Sequence, residues 1–215
     1  MTRWHCQWAR TPTGWEQDVV VETRGDRIVS VSTNGSTQTG AETLEGAVFP
    51  AFANTHSHAF HRLLRGITGR GDFWSWRDVM YEVAAQLDPD SYRRVAVAAF
   101  REMVAAGYGT VVEFHYLHHQ PDGTPYDDPN VMADALADAA VEAGIGLTLL
   151  NTCYLSGGFG RPPEGVQRRF ADPDAHAWVE RASRWRPPQG VVAGAAIHSI
   201  RAVDPASASV VAAWS

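Results

Sequence analysis

A chain of 215 residues, 45% apolar and 20% charged with eight tryptophans, has the composition of one large or two small globular domains, not of a disordered segment. All 18 basic residues are arginine, so there is no lysine for a P-loop, a Schiff base or a carbamate bridging two metals. A net charge of −6 argues against a nucleic-acid partner, which would want a basic stripe. Cys6 and Cys153 stand far apart and outside any C-x-x-C, which suggests neither a disulfide framework nor a thiol-rich zinc site. The start, Met1 to Cys6, has no apolar leader, and the longest nearly apolar run, Gly190–Ile197, is too short to cross a bilayer. A cytoplasmic protein with no membrane partner is expected.

Residues 1–48 read as part of a small β-structure. Asp18–Glu22 and Arg27–Val31 are rich in branched residues, and Gly25-Asp26 between them predicts a tight hairpin turn. A polar loop is expected over 33–40. From residue 49 a strand–helix alternation predicts four units. The apolar runs are Ala47–Asn54, Thr110–Phe114, Leu147–Leu150 and Val191–Ile197, short enough to be fully buried strands of a parallel sheet. Asp88-Pro89 predicts a helix start, with Gly107 as the stop. Further helices are expected near 130–143, ending at Gly144, and from Asp174 to about Trp185. Asp204-Pro205 caps one more, inside which the chain stops. After each apolar run, polar and aromatic residues gather, as at the carboxyl ends of the strands of a (β/α)8 barrel, where active sites of that fold lie. Four units are half of eight, so residues 49–215 read as the front half of a longer protein.

His56-Ser57-His58 is the sharpest chemical feature. At a strand end, residues i and i+2 point to one side, so two imidazoles can converge on one ion, and neutral imidazole suits zinc. A polar turn with two solvated histidines is the plain alternative. His115, His118 and His119 do not make a second metal cluster on this reading, because alternation turns His115 away from Tyr116 and the loop histidines are expected to be solvated. His5 and His176 are expected at the surface.

The stretch Pro50–Arg62, containing His56-Ser57-His58, resembles the first barrel strand of the amidohydrolase superfamily, in which a small β-sandwich precedes the barrel. More narrowly, Asp72–Arg77, Glu113–His119, Gly123–Tyr126 and His198–Val203 resemble the formimidoylglutamate deiminase branch of that superfamily, in family order over nearly the whole chain. The resemblance implies that His56 and His58 are zinc ligands. It also implies that Arg77, Tyr116, His198 and Arg201 contact the substrate, with His61 standing where some members have glutamine. It implies zinc-assisted hydrolysis of N-formimino-L-glutamate to N-formyl-L-glutamate and ammonia, and a homodimer. The remaining metal ligands and the acid/base groups have no counterpart here and would lie beyond Ser215, so the chain by itself is expected to be inactive. The absence of lysine favours a mononuclear site.

Two alternatives fit the same residues: an amidohydrolase deaminase acting on a purine or pterin ring, and a non-enzymatic truncated metal-binding fragment. Paired arginines suit carboxylates better than a ring. Gly144-Ile145-Gly146 precedes a strand and makes no dinucleotide loop, and neither H-E-x-x-H nor the P-C-x-x-C of zinc nucleoside deaminases is present.

Overall fold

The structure, a computed structural model, describes residues 1–33, 40–69 and 71–215. Most of the loop expected over 33–40 lies outside the described residues. The chain forms two compact units, Met1–Ala51 and Phe52–Ser215.

The first unit is a mixed four-stranded sheet in the order β3-β2-β1-β4, from β1 (Thr2–Thr11), β2 (Gly14–Arg24), β3 (Arg27–Ser32) and β4 (Glu42–Val48). The β2–β3 hairpin closes at Arg24↔Arg27 across Gly25-Asp26, and Gly25 supplies the positive φ of 61° that such a turn requires. β1 pairs antiparallel with β2 and parallel with β4, around the buried Cys6, Ala9 and Val19. His5 is a correction to the sequence reading: it is buried, with Nε2 3.4 Å from the Asp18 carboxylate. It pairs with the buried Val20 of β2, on the face of the sheet opposite the one that carries Cys6 and Val19.

The second unit is a parallel sheet in the order β5-β6-β7-β8, formed by β5 (Phe52–Ser57), β6 (Tyr108–His115), β7 (Gly146–Cys153) and β8 (Val191–Ile197). The run Ala47–Asn54 is not one strand. Ala47 and Val48 finish β4, and Pro50, which has no N–H for a ladder, stands in the break before β5. β6 and β7 are central and well covered. The edge strands β5 and β8 keep Phe52 and Val192 exposed, so the expectation that all four strands are fully buried is corrected.

Between and after these strands, the described residues form the α-helices α1 (Phe73–Gln86), α2 (Pro89–Ala105), α3 (Val131–Ala143), α4 (Ala175–Arg184) and α5 (Pro205–Trp214). Asp88 caps α2 by accepting from Ser91 N–H at 2.7 Å, while the Ser91 hydroxyl accepts from Asp88 N–H at 2.9 Å. That reciprocal pair satisfies two of the donors a helix start leaves open. Asp72 and Ser75 repeat the same box at the start of α1, a helix the sequence reading did not assign. α3 ends where Gly144 turns left-handed at φ 74°. The core between sheet and helices is filled by Phe60, Tyr92, Phe100, Leu136, Leu149 and Trp178, all fully buried, and each apolar side chain of this size contributes about 1.5–3 kcal/mol by leaving water.

Candidate active site

A cavity of about 780 Å3 opens at the carboxyl ends of β5–β8. It collects residues from all four strand-end segments and from α1, because parallel strands deliver their next loops to one side of the sheet.

His56 is the exposed penultimate residue of β5, and His58 follows the strand just before a short 3-10 helix over Ala59–Leu64. Their rings lie 5.4 Å apart and nearly perpendicular. His58 Nδ1 is 3.3 Å from the carbonyl oxygen of Phe114, which fixes the ring and leaves Nε2 for another partner. That is the usual arrangement of a metal-ligating histidine, whose second nitrogen is held by a backbone carbonyl. Burial lowers the His58 pKa, and the positive charge of a protonated His56 adds to this against the Phe114 contact, so the neutral ligating form is favoured. The two imidazoles fit part of a zinc coordination sphere. Among the described residues no group of three or more His, Cys, Asp or Glu is placed to hold a metal, whereas a catalytic zinc takes three protein ligands.

Glu113 on β6 holds the turn that carries these two histidines. Its fully buried carboxylate accepts from Ala59 N–H at 2.5 Å. Burial pushes this carboxyl up to about 7, against hydrogen bonds from Ser57 and Ala59 that favour the charged form.

The other expected residues converge on the same cavity. Tyr116 is nearly buried, and its hydroxyl shares a 2.8 Å hydrogen bond with His61 Nε2. Burial drives His61 down to about 3, helped by repulsion from His58 and His56, so its imidazole is neutral at neutral pH. His198 follows β8, with its ring 5.5 Å from that of Tyr116 and 4.8 Å from that of Tyr154. Burial, with the charges of His58 and Arg201, takes His198 to about 4. Arg77 projects from α1 between the rings of Trp74 and Tyr81, with Cζ 4.7 and 5.2 Å from their centroids. Aromatic faces attract a cation and fix the guanidinium plane. Arg77 Nε is buried without a hydrogen-bond partner, although Asp78 lies 3.5 Å from its terminal nitrogen. Arg201 is exposed at the rim, where Ser156 Oγ donates to its carbonyl oxygen at 3.2 Å. All seven residues singled out in the sequence line this one cavity, and among the described residues no Asp or Glu lines it.

The loop histidines are a second correction. His115, His118 and His119 are all buried. His118 Nε2 bonds Thr152 O at 2.9 Å, His115 stacks on Tyr92, and His119 lies 3.7 Å from Asp172. They belong to a buried network in which the Arg181 guanidinium grips both oxygens of Asp172 at 2.9 and 2.7 Å and donates to Asn151 at 3.1 Å. His176 is exposed, as expected. Sequence reasoning missed Tyr81, Arg161 and Gln167 at the cavity, all on α1 or in the segment after β7. The strand-end rule pointed to that second segment, but no motif marks it.

A parallel sheet with helices, its polar cluster at the strand ends and H-x-H after the first strand, defines a class, and residues 47–203 match the Amidohydrolase family. The chain belongs to that family. It is 40% identical over 206 residues to the formimidoylglutamate deiminase of Pseudomonas aeruginosa, covering 92% of this chain and 45% of that protein. It is 28% identical over 138 residues to a 5-methylthioadenosine/S-adenosylhomocysteine deaminase of Archaeoglobus fulgidus, covering 64% of this chain and 27% of that one. The crystal structure of an amidohydrolase from Brucella melitensis superposes with a TM-score of 0.94 at 37% identity, over 100% of this chain and 50% of that one. Atrazine chlorohydrolase from Arthrobacter aurescens TC1, complexed with zinc, shares the fold at a TM-score of 0.80 and 20% identity, over 99% of this chain and 50% of that one. The chain spans about half the length of the deiminase and the crystal structures it matches. Its four strand–helix units are accordingly part of a (β/α)8 barrel. Among the described residues, no helix is long and apolar enough to cross a membrane.

Proposed function

We propose that this cavity binds N-formimino-L-glutamate, and that the protein built on it hydrolyses that substrate to N-formyl-L-glutamate and ammonia. The observation that carries the reading is the cavity's charge: arginines line it and, among the described residues, no carboxylate does. Such a lining selects an anion, and a guanidinium reads a carboxylate through a planar two-pronged contact. Arg77 Nε has no hydrogen-bond partner among the described residues, so this guanidinium keeps donor capacity for a carboxylate.

In this reading Arg77 and Arg201 hold the two carboxylates. His61 and Tyr116, locked together, present neutral hydrogen-bonding groups to the amidine, and neutral His198 adds a third without introducing a competing charge. His56 and His58 would hold zinc, which when bound supplies Lewis acidity and activates water near neutral pH. The remaining ligand and the proton-transfer groups belong, in this reading, to residues outside these 215. The similarity to the Pseudomonas deiminase supports the substrate choice.

The test is ammonia release from N-formimino-L-glutamate by zinc-loaded full-length protein. Turnover that falls by at least tenfold in each of Arg77→Gln and Arg201→Gln is expected. No turnover of this substrate, with deamination of 5-methylthioadenosine instead, would replace the reading with a ring deaminase.

A further inference from the structure

We infer that Arg161 is a third carboxylate-reading residue of this cavity, delivered by the segment after β7; the inference rests on the anionic-substrate reading above. Arg161 lines the cavity with Arg77 and Arg201. An exposed arginine is ordinarily just solvated, but three observations together favour a ligand for this one.

The first is that its backbone is pinned. Gly158 and Arg161 form an isolated antiparallel bridge, with Arg161 N–H donating to Gly158 O at 3.1 Å and Gly157 N–H donating to Arg161 O at 2.9 Å. Gly157 fits only as glycine, since a Cβ there would meet Gln167 Oε1 at 2.5 Å and Pro162 O at 2.8 Å.

Next, the turn is cross-linked to the elements that carry the other two arginines. Gln167 Oε1 accepts from Glu164 N–H at 3.0 Å, while its Nε2 donates to Tyr81 Oη at 3.1 Å. Tyr81 is one of the two rings that hold Arg77. On the other side, Ser156 Oγ donates to the carbonyl oxygens of Arg201 and Ala202 at 3.2 and 3.1 Å. The three guanidinium groups are therefore presented by one connected rim.

Finally, among the described residues no ion pair occupies the Arg161 guanidinium. Arg3, Arg62, Arg77, Arg93, Arg101, Arg181 and Arg184 each have a carboxylate within 4.0 Å. Among the described residues, Arg161 has no carboxylate within 4.0 Å. A carboxylate has about four lone-pair directions, so one can accept from two guanidinium groups at once. Arg161 thus adds to Arg77 or Arg201 without displacing either.

The experiment is calorimetric binding of N-acetyl-L-glutamate, a stable dicarboxylate, to full-length protein and to Arg161→Gln, Arg161→Lys and Arg77→Gln. Arg161→Gln should bind about tenfold more weakly, with part of the loss recovered in Arg161→Lys. Its affinity should also fall less steeply with added salt than the parent's, because one screened charge pair is gone. Parent-like affinity in Arg161→Gln beside a clear loss in Arg77→Gln would overturn the inference and leave the proposed function standing. A loss with an unchanged salt slope and no recovery by lysine would also overturn it, assigning Arg161 to loop structure. Parent-like affinity in both glutamine variants would defeat the inference and the anionic-substrate reading together.

Discussion

His61 Nε2 and Tyr116 Oη share a hydrogen bond of 2.8 Å, joining the turn after β5 to the chain just beyond β6 inside the cavity. Both groups are neutral at neutral pH: burial takes the imidazole down to about 3 and raises the phenol well above its ordinary value. The pair is a neutral clasp that leaves the charge in the cavity to the arginines. Replacing Tyr116 with Phe strands a mostly buried ring nitrogen, and the expected cost is about 1–3 kcal/mol of stability by urea unfolding. Combining it with His61→Phe should recover part of that loss. Strictly additive losses in the double variant would show that the two groups do not depend on each other.

Glu113 gives stability a pH dependence of definite sign. Its carboxyl is raised by burial from 4.5 to about 7 in the folded chain, so the folded state binds this proton more tightly than the unfolded chain does. Stability from this group therefore falls as pH rises between those two values, and a cost of about 3 kcal/mol stands in full above the upper one. Glu113→Gln keeps an acceptor for Ala59 N–H without the charge. It should be more stable than the parent at pH 8, by a margin that shrinks towards pH 5. An equal margin at both pH values, measured by denaturant unfolding, would remove burial of charge as the cause.

The Arg181–Asp172 pair has the opposite sign. Burial by itself would raise Asp172, but the fork of Arg181 and the nearby His119 hold it below the ordinary carboxylate value. Its contribution is present above the unfolded pKa and is lost as pH falls through the lowered one. Arg181→Met leaves an uncompensated buried carboxylate and is expected to destabilise by about 3–5 kcal/mol, whereas Arg181→Met with Asp172→Leu should be milder. A double variant as unstable as the single one would contradict this account of the pair.

His56 and His58 should account for zinc retention. Full-length protein with both changed to alanine is expected to lose at least tenfold in zinc content after dialysis, by elemental analysis, while Asn54→Ala keeps its zinc. Equal zinc in parent and double variant would place the metal elsewhere. Because His58 Nδ1 is held by the Phe114 carbonyl, His58→Gln should fail to restore binding.

Much of the architecture and the cavity's membership was legible in the residues themselves. Caps and stops act locally: Asp88-Pro89 and Gly144 bound their helices because a side-chain acceptor and a left-handed glycine satisfy backbone groups within a few residues. The same logic was available at Asp72 and Ser75, where the capping box of α1 went unread. Alternation along the strand end placed His56 and His58 on one side, and the parallel order of the strands brought His61, Arg77, Tyr116, His198 and Arg201 to one mouth. Burial was decided by tertiary structure alone. His115, His118 and His119 look like solvated loop residues in sequence. They are enclosed because Tyr92, Thr152 and Asp172, distant along the chain, close over them. Arg161 likewise carries no local signal. Its place on the rim depends on Gln167 reaching Tyr81 across 86 residues, a contact that exists only once α1 and the segment after β7 have packed together.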